Sequence, residues 1–338
     1  MLYGHGDDTF RFPHLRANFS SNICTEADLA PLKAHLATRL SAIENYPEPA
    51  ADSLAACIAR LHGIQPDEVL VTNGATDAIY LIAQAFATDG TYFSTDEPTF
   101  SEYADACLLF GLKPLTDADS SAAVRWLCNP NNPDGRIYTP EQVRREAQRS
   151  TWLVVDQSYE DYTAAPLLTA REALGVPNLL LLHSLTKSYA VPGLRIGYVT
   201  APAPLIARLK SVSRPWAVNA LAVEAGKWLL SHDVRAVPDL DALLAETQRL
   251  ANALSEVPHL HVSPTATTFM LVCCDTFTAA QLKERLATEH GLLIRDASNF
   301  PTLTPHHFRV ATQRPDQNDA LVAALRTLLS PSADERKF

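Results

Sequence analysis

Basic residues are in deficit in this chain: 28 lysines and arginines stand against 38 aspartates and glutamates, a net charge of -10 over 338 residues. A nucleic-acid or anionic-membrane surface needs a basic footprint, so neither partner is expected. A small anionic ligand is not excluded, because a few local arginines decide that. No segment approaches the roughly 18 uninterrupted apolar residues of a membrane span. Met1 to Arg11 lacks the basic-then-apolar order of a secretion signal. The six cysteines, Cys24, Cys57, Cys107, Cys128, Cys273 and Cys274, form no Cys-x-x-Cys pair. Without a secretion signal they read as buried reduced thiols, since free cysteine behaves as a small hydrophobe, and a cytoplasmic location is the expectation. Low-complexity tracts and internal repeats are missing too, and nothing suggests a metal site.

What is present is an ordinary globular composition, 47% hydrophobic and 20% charged, in a chain long enough for two unequal lobes. Val69–Thr72 reads as a strand ending in Asn73-Gly74, and Ala75 to Ala87 carries Ile79, Ile82, Ala83 and Phe86 at helical spacing. Further strands are expected at Thr91–Ser94, Val124–Leu127, Trp152–Val155, Leu179–Leu182 and Ile196–Thr200. Thr139-Pro140-Glu141-Gln142 has the form of a helix start, with Thr139 as N-cap, Pro140 in the first turn and Gln142 closing a capping box. Apolar strands alternating with helices indicate an α/β fold with a mainly parallel sheet covered on both faces. After about Ala225 the texture changes. A helix over Asp239–Val257, short strands at Thr268–Cys274, Leu292–Ile294 and Phe308–Val310, and helices at Thr278–His290 and Pro315–Leu329 predict a smaller α+β lobe. The expected division is an arm and helix over 1–40 packing with the small domain, a large domain over 41–225 and a small one over 226–338.

The chemistry concentrates in His183-Ser184-Leu185-Thr186-Lys187-Ser188 and the following Pro192-Gly193-Leu194-Arg195-Ile196-Gly197. Leu179–Leu182 delivers this hydroxyl-rich turn to the end of a buried strand. A lysine there can hold an aldehyde as an imine and act as a general base once released. Ser184, Thr186 and the planar fork of Arg195 suit a phosphate. Asp156 ends the strand at Trp152, where a carboxylate faces the crevice in which α/β sheets bind ligands, and Tyr159 follows it. Asn129-Pro130-Asn131-Asn132-Pro133-Asp134-Gly135 follows the strand at Trp126. Gly74, Ala75 and Thr76 lie between a strand and a helix, so their amides can bind phosphate. Taken singly, these would be turns, caps and surface loops; together they make a set.

The set resembles the site of fold-type I enzymes that use pyridoxal 5′-phosphate (PLP), over essentially the whole chain. The resemblance implies an imine on Lys187, Asp156 keeping the cofactor ring nitrogen protonated, Asn132 and Tyr159 on the ring, and Phe100, from Glu97-Pro98-Thr99-Phe100, stacked against it. It also implies a homodimer in which Tyr46, from Asn45-Tyr46-Pro47, reaches the neighbouring subunit's cofactor phosphate. Asp134 departs from a threonine that is usual in this family, with little consequence expected.

Within fold type I the chain is similar to two groups acting on phosphorylated amino compounds, the threonine-phosphate decarboxylases and the histidinol-phosphate aminotransferases. Pro215-Trp216-Ala217-Val218-Asn219-Ala220-Leu221-Ala222, Phe19-Ser20-Ser21-Asn22-Ile23 and, loosely, Tyr3-Gly4-His5-Gly6-Asp7 resemble the decarboxylases. Thr312-Gln313-Arg314 departs from them, with its arginine farther from the strand. The resemblance implies Arg309 on the substrate carboxylate and Arg295 on its phosphate, with His5 and Asn22 also binding substrate. Decarboxylation of L-threonine O-3-phosphate, a step of cobalamin side-chain synthesis, is favoured, and transamination stays open. A non-catalytic PLP-binding regulator is the remote alternative. Such proteins carry a DNA-binding extension before the domain, whereas this acidic chain enters the fold almost at Met1.

Overall fold

The computed structural model describes residues 7–24, 26–116, 122–232, 235–237 and 239–330. Strand β1 (Ala17–Asn18), helix α1 (Ala30–Thr38) and helix α2 (Asp52–His62) lead into a run of alternating elements. These are β2 (Val69–Thr72), α3 (Ala75–Phe86), β3 (Tyr92–Thr95), α4 (Glu102–Leu109), β4 (Lys113–Pro114), β5 (Val124–Cys128), α5 (Pro140–Arg149) and β6 (Trp152–Asp156). They continue with α6 (Ala170–Ala173), β7 (Leu179–Ser184), α7 (Leu185–Ser188) and β8 (Gly197–Thr200). Helices α8 (Ala203–Val212), α9 (Ala220–His232) and α10 (Leu240–Ser255) follow. The chain then forms β9 (Leu260–Val262), β10 (Phe269–Cys274), α11 (Ala279–Arg285), β11 (Leu292–Leu293), β12 (Arg295–Asp296), β13 (His307–Ala311) and α12 (Pro315–Leu329).

One sheet has the order β2-β8-β7-β6-β5-β3-β4. Strands β3 to β7 run parallel, and β8 is antiparallel to both neighbours. Its central strands are buried on both sides: each residue of Leu179–Leu182 is 0% exposed. This explains why the sequence there is continuously apolar and not alternating. Ile79, Ile82 and Phe86 of α3, Tyr103 of α4 and Ile206 of α8 cover Val154, Leu180, Leu182 and Val199 on one face. On the other face Leu54 and Ile58 of α2 and Leu229 of α9 meet Val69, Val71 and Tyr198, while Val143 of α5 meets Leu153 and Leu181. Helix α5 begins on the expected capping box: Thr139 Oγ1 accepts from the Gln142 amide at 3.3 Å, and Gln142 Oε1 accepts from the Thr139 amide at 2.7 Å.

The second sheet is antiparallel, in the order β12-β13-β10-β9. Leu250 and Leu254 of α10, Leu282 of α11 and Leu321 and Leu325 of α12 pack on Met270, Val272, Phe308 and Val310. Because Phe308 and Val310 enter this cluster, the alternation of a strand turns Arg309 to the opposite face. The N-terminal stretch divides: β1 pairs with β11, whereas Leu29, Leu32 and Leu36 around α1 join the apolar group of α2, α9, β2 and β8.

Two expected elements differ in detail. The strand expected over 292–294 is two short strands serving different sheets, β11 with β1 and β12 with β13. The helix expected over 278–290 is α-helical only to Arg285; a π-type turn over Leu286–His290 then ends at Gly291, whose φ is 69°. Among the described residues, no helix is long and apolar enough to cross a membrane, and no cluster of His, Cys, Asp or Glu is arranged to hold a metal ion.

Candidate active site

The carboxyl ends of β5, β6 and β7, the start of α3 and one face of the β12–β13 pair converge on a cavity of about 260 Å³. It is lined by Asn22, Ala75, Thr76, Phe100, Asn132, Asp156, Tyr159, Ser184, Thr186, Lys187, Arg195, Arg295 and Arg309, all anticipated from the sequence. Asp156 and Ser184 end β6 and β7, Arg295 and Arg309 lie on β12 and β13, and the others sit on loops and helix starts around the sheet edge where α/β folds bind ligands.

Lys187 sits in α7, directly after β7. Its backbone is pinned from two sides: the Lys187 carbonyl accepts from the Tyr162 hydroxyl at 2.9 Å, and the Val191 amide donates to the Thr186 carbonyl at 3.1 Å. The ammonium lies 5.7 Å from the ring centroid of Tyr159. Burial, reinforced by the Arg309 guanidinium, lowers the Lys187 pKa to about 8. A neutral amine, the nucleophilic form, is thus accessible near neutrality.

Asp156, 3% exposed, accepts through Oδ1 from the Ser158 amide at 2.8 Å and through Oδ2 from the Tyr103 hydroxyl at 2.7 Å. Burial raises its pKa, and hydrogen bonds from the Ser158 side chain, the Tyr103 hydroxyl and the Ser158 amide oppose the rise. Phe100 meets Tyr103 edge-on, with centroids 5.7 Å apart.

Arg195 packs against Gly74. A Cβ at position 74 would stand 2.7 Å from the guanidinium, and φ there is 84°, so glycine is required twice over. Gly74 itself does not line the cavity, and its amide donates to the Thr72 carbonyl at 2.8 Å. The expectation that this amide binds a phosphate is therefore corrected. It is committed to the turn, and Gly74 contributes room for Arg195.

Arg295 and Arg309 are cross-strand partners on β12 and β13, 6% and 5% exposed. Arg309 donates to Asn132 Oδ1 and, at 2.6 Å, to the Ser20 carbonyl. Arg295 donates to the Asp296 carbonyl and, at 2.8 Å, to Asn299 Oδ1. Burial and the neighbouring Arg309 lower the Arg295 pKa to about 10.

Of the remaining expected residues, Tyr46 does not line this chain's cavity. It is 84% exposed, with its ring 5.1 Å from that of Trp216. His5 lies outside the described residues. Sequence reasoning missed Asp7, Ser20, Tyr103, Cys128, Ser158 and Phe300, which also line the cavity. Asp134, the departure from threonine, accepts from Asn131 Nδ2 at 2.7 Å and from the Arg136 amide at 3.0 Å, closing the turn that presents Asn132.

The donor set suits an anionic heteroaromatic aldehyde. A half-buried low-pKa amine, a guanidinium, a helix start and the buried, unpartnered hydroxyl of Thr186 lie around a cavity with an aromatic wall and a buried carboxylate. Fold and site together define a PLP-dependent enzyme of fold type I. Residues 17–325 match the family model described as aminotransferase class I and II, and the chain belongs to that family. It is 31% identical to the threonine-phosphate decarboxylase of Salmonella typhimurium over 94% of this chain and 92% of that protein. It is 29% identical to the histidinol-phosphate aminotransferase of a Thermoanaerobacter species over 86% of each. The crystal structure of L-threonine-O-3-phosphate decarboxylase from Porphyromonas gingivalis aligns with a TM-score of 0.87 at 37% identity, over 93% of this chain and 100% of that one.

Proposed function

We propose that this enzyme decarboxylates L-threonine O-3-phosphate to (R)-1-amino-2-propanol O-2-phosphate, a step of cobalamin synthesis. The observation that carries the reading is the pair of buried arginines, Arg295 and Arg309, on adjacent strands facing the cavity of Lys187. A substrate with a carboxylate and a phosphate ester needs two such anion holders, and guanidinium groups bind both in paired hydrogen bonds. Similarity to threonine-phosphate decarboxylases supports the same choice.

In this reading Lys187 carries the cofactor through Nζ and afterwards moves a proton at the substrate's α-carbon. Arg195, Ser184, Thr186 and the first amides of α3, at Ala75 and Thr76, hold the cofactor phosphate. Phe100 covers one ring face, Asn132 and Tyr159 hold the ring hydroxyl, and Asp156 accepts from the ring nitrogen. Bound PLP supplies an electron sink for the α-carbon bond that breaks. Which bond that is depends on how the substrate is turned, and Arg309 on its carboxylate, Arg295 on its phosphate and Asn22 set that angle, with His5 a further substrate-binding residue. Chains of this kind complete their site as homodimers, with the exposed Tyr46 reaching the partner's cofactor phosphate; a cytoplasmic location fits the reduced cysteines.

The test is incubation of purified holoenzyme with L-threonine O-3-phosphate while following CO₂. Release of CO₂ with the cofactor unchanged supports the reading. No CO₂, together with conversion of the cofactor to its amine form by histidinol phosphate, replaces it with the aminotransferase reading, which the similarity to histidinol-phosphate aminotransferases favours second.

A further inference from the structure

We propose that Tyr103 is a positioning residue for the Asp156 carboxylate, and that its hydroxyl keeps a proton on the bound ring nitrogen instead of on the protein. The inference rests on the PLP reading of the site and adds a residue to it.

The geometry is specific. Tyr103 is 0% exposed and its hydroxyl is 2.7 Å from Asp156 Oδ2. The ring cannot swing away. It lies parallel to the indole of Trp126, with centroids 5.0 Å apart and an interplanar angle of 11°, and meets Phe100 at 84°. One side chain therefore braces both the aromatic wall of the cavity and the carboxylate at its floor. Asp156 accepts from the Ser158 amide on Oδ1 and from the Tyr103 hydroxyl on Oδ2, and the Ser158 side chain is a further donor to it. A carboxylate offers about four lone-pair sites, so these donors leave capacity for a ligand. The nearby Cys128 thiol does not compete for Oδ2, because it donates to the Pro130 carbonyl at 3.2 Å.

The direction of the effect follows from charge. A donor to a carboxylate stabilises its ionised form and makes it a weaker proton acceptor. Asp156 is buried, which works the other way and raises its pKa. Tyr103 is held as the donor, since burial beside that carboxylate pushes its own pKa far above the phenol range. Without the hydroxyl, Asp156 becomes more basic and a proton shared with a ring nitrogen moves toward it. The ring then draws electrons less strongly.

The experiment uses holoenzyme loaded with cofactor carrying ¹⁵N at the ring nitrogen, and reads that nitrogen's NMR shift in Tyr103→Phe. We expect the resonance to move toward the unprotonated position and cofactor dissociation to rise about tenfold, in line with one lost charge-assisted hydrogen bond. The thermal midpoint of the cofactor-free protein should fall, because a buried carboxylate loses a donor, so stability alone does not decide the test. Installing 3-fluorotyrosine at position 103, a stronger donor of nearly the same shape, should move the resonance the other way and keeps the test open should the phenylalanine variant fold poorly. An unmoved resonance in both variants overturns the proposal, whatever happens to stability. Asp156→Asn run alongside separates the two levels. If it shifts the resonance and the Tyr103 variants do not, only the role of Tyr103 falls. If Asp156→Asn also leaves it unmoved, the reading of Asp156 falls with it.

Discussion

Arg295 and Arg309 stand directly opposite each other on β12 and β13, two buried guanidinium groups in register. Like charges opposed across a strand pair are destabilising by roughly 0.2–1 kcal/mol. The fold retains the arrangement at a cost, which marks it as a site for anions. The two arginines differ in their ties. Arg295 bonds within its own segment, to Asp296 and Asn299, while Arg309 bonds to Asn132 and Ser20.

Arg295→Met relieves the like-charge opposition but also removes donations to Asp296 and Asn299, so it should shift stability by no more than about 1 kcal/mol in either direction. Arg309→Met, which strands the Asn132 and Ser20 acceptors, should cost about 1–3 kcal/mol. Both should raise KM for a phosphorylated amino acid at least about tenfold. Denaturant titrations beside steady-state kinetics check the contrast; equal stability losses would contradict it.

Capture of PLP by the cofactor-free protein should speed up as pH rises from 6 and level off above about 8, as Lys187 loses its proton. The folded pKa lies below the ordinary lysine value, so between the two the unfolded chain binds more protons. Stability of the cofactor-free protein should accordingly rise as pH increases from about 8 toward the usual 10.5. Stopped-flow absorbance gives the first trend and thermal melts the second. Lys187→Ala should remove the visible absorbance band and slow turnover by at least about 10²-fold, the share of a general base alone.

Gly197→Ala should weaken the cofactor cradle. A Cβ there would meet the Ala75 amide nitrogen at 2.6 Å and the Gly74 carbonyl carbon at 2.7 Å, both backbone atoms that cannot rotate away. The expected outcome is a lower melting temperature in the cofactor-free protein together with a higher cofactor dissociation constant, read by fluorescence quenching.

Thr139→Ala removes one half of the capping box on α5, far from the cavity. A loss of about 1 kcal/mol is expected, with kcat/KM unchanged, and a denaturation curve beside an activity assay tests both halves.

Much of this was legible in the chain itself because it is local. The lysine turn follows its apolar strand immediately, Thr139 and Gln142 announce α5, and the run from Asn129 to Gly135 is a self-contained turn. What escaped reading depends on tertiary placement. Ile294 separates two strand pairs that belong to different sheets, a switch that no periodicity reveals. Gly74 looked like an amide donor, and only the nearness of the Arg195 guanidinium shows that its missing side chain is what matters. Tyr103 reads as core packing until its hydroxyl is seen on Asp156, since α4 and the end of β6 meet only in three dimensions.

The return from β7 to β8 holds a further consequence. Lys187 and Arg195 both lie on the connection closed by the pairing of Ser184 with Gly197, so an amine and a guanidinium of the same cavity belong to one short excursion of the chain. Arg309 meets Asn132 only across 177 positions and Ser20 only across 289. Because the chain is synthesised from its N-terminus, the lysine loop is made well before Arg295 and Arg309. Arg309 is thus the last of the cavity's residues to be made, and the cavity closes only when the C-terminal strands are in place.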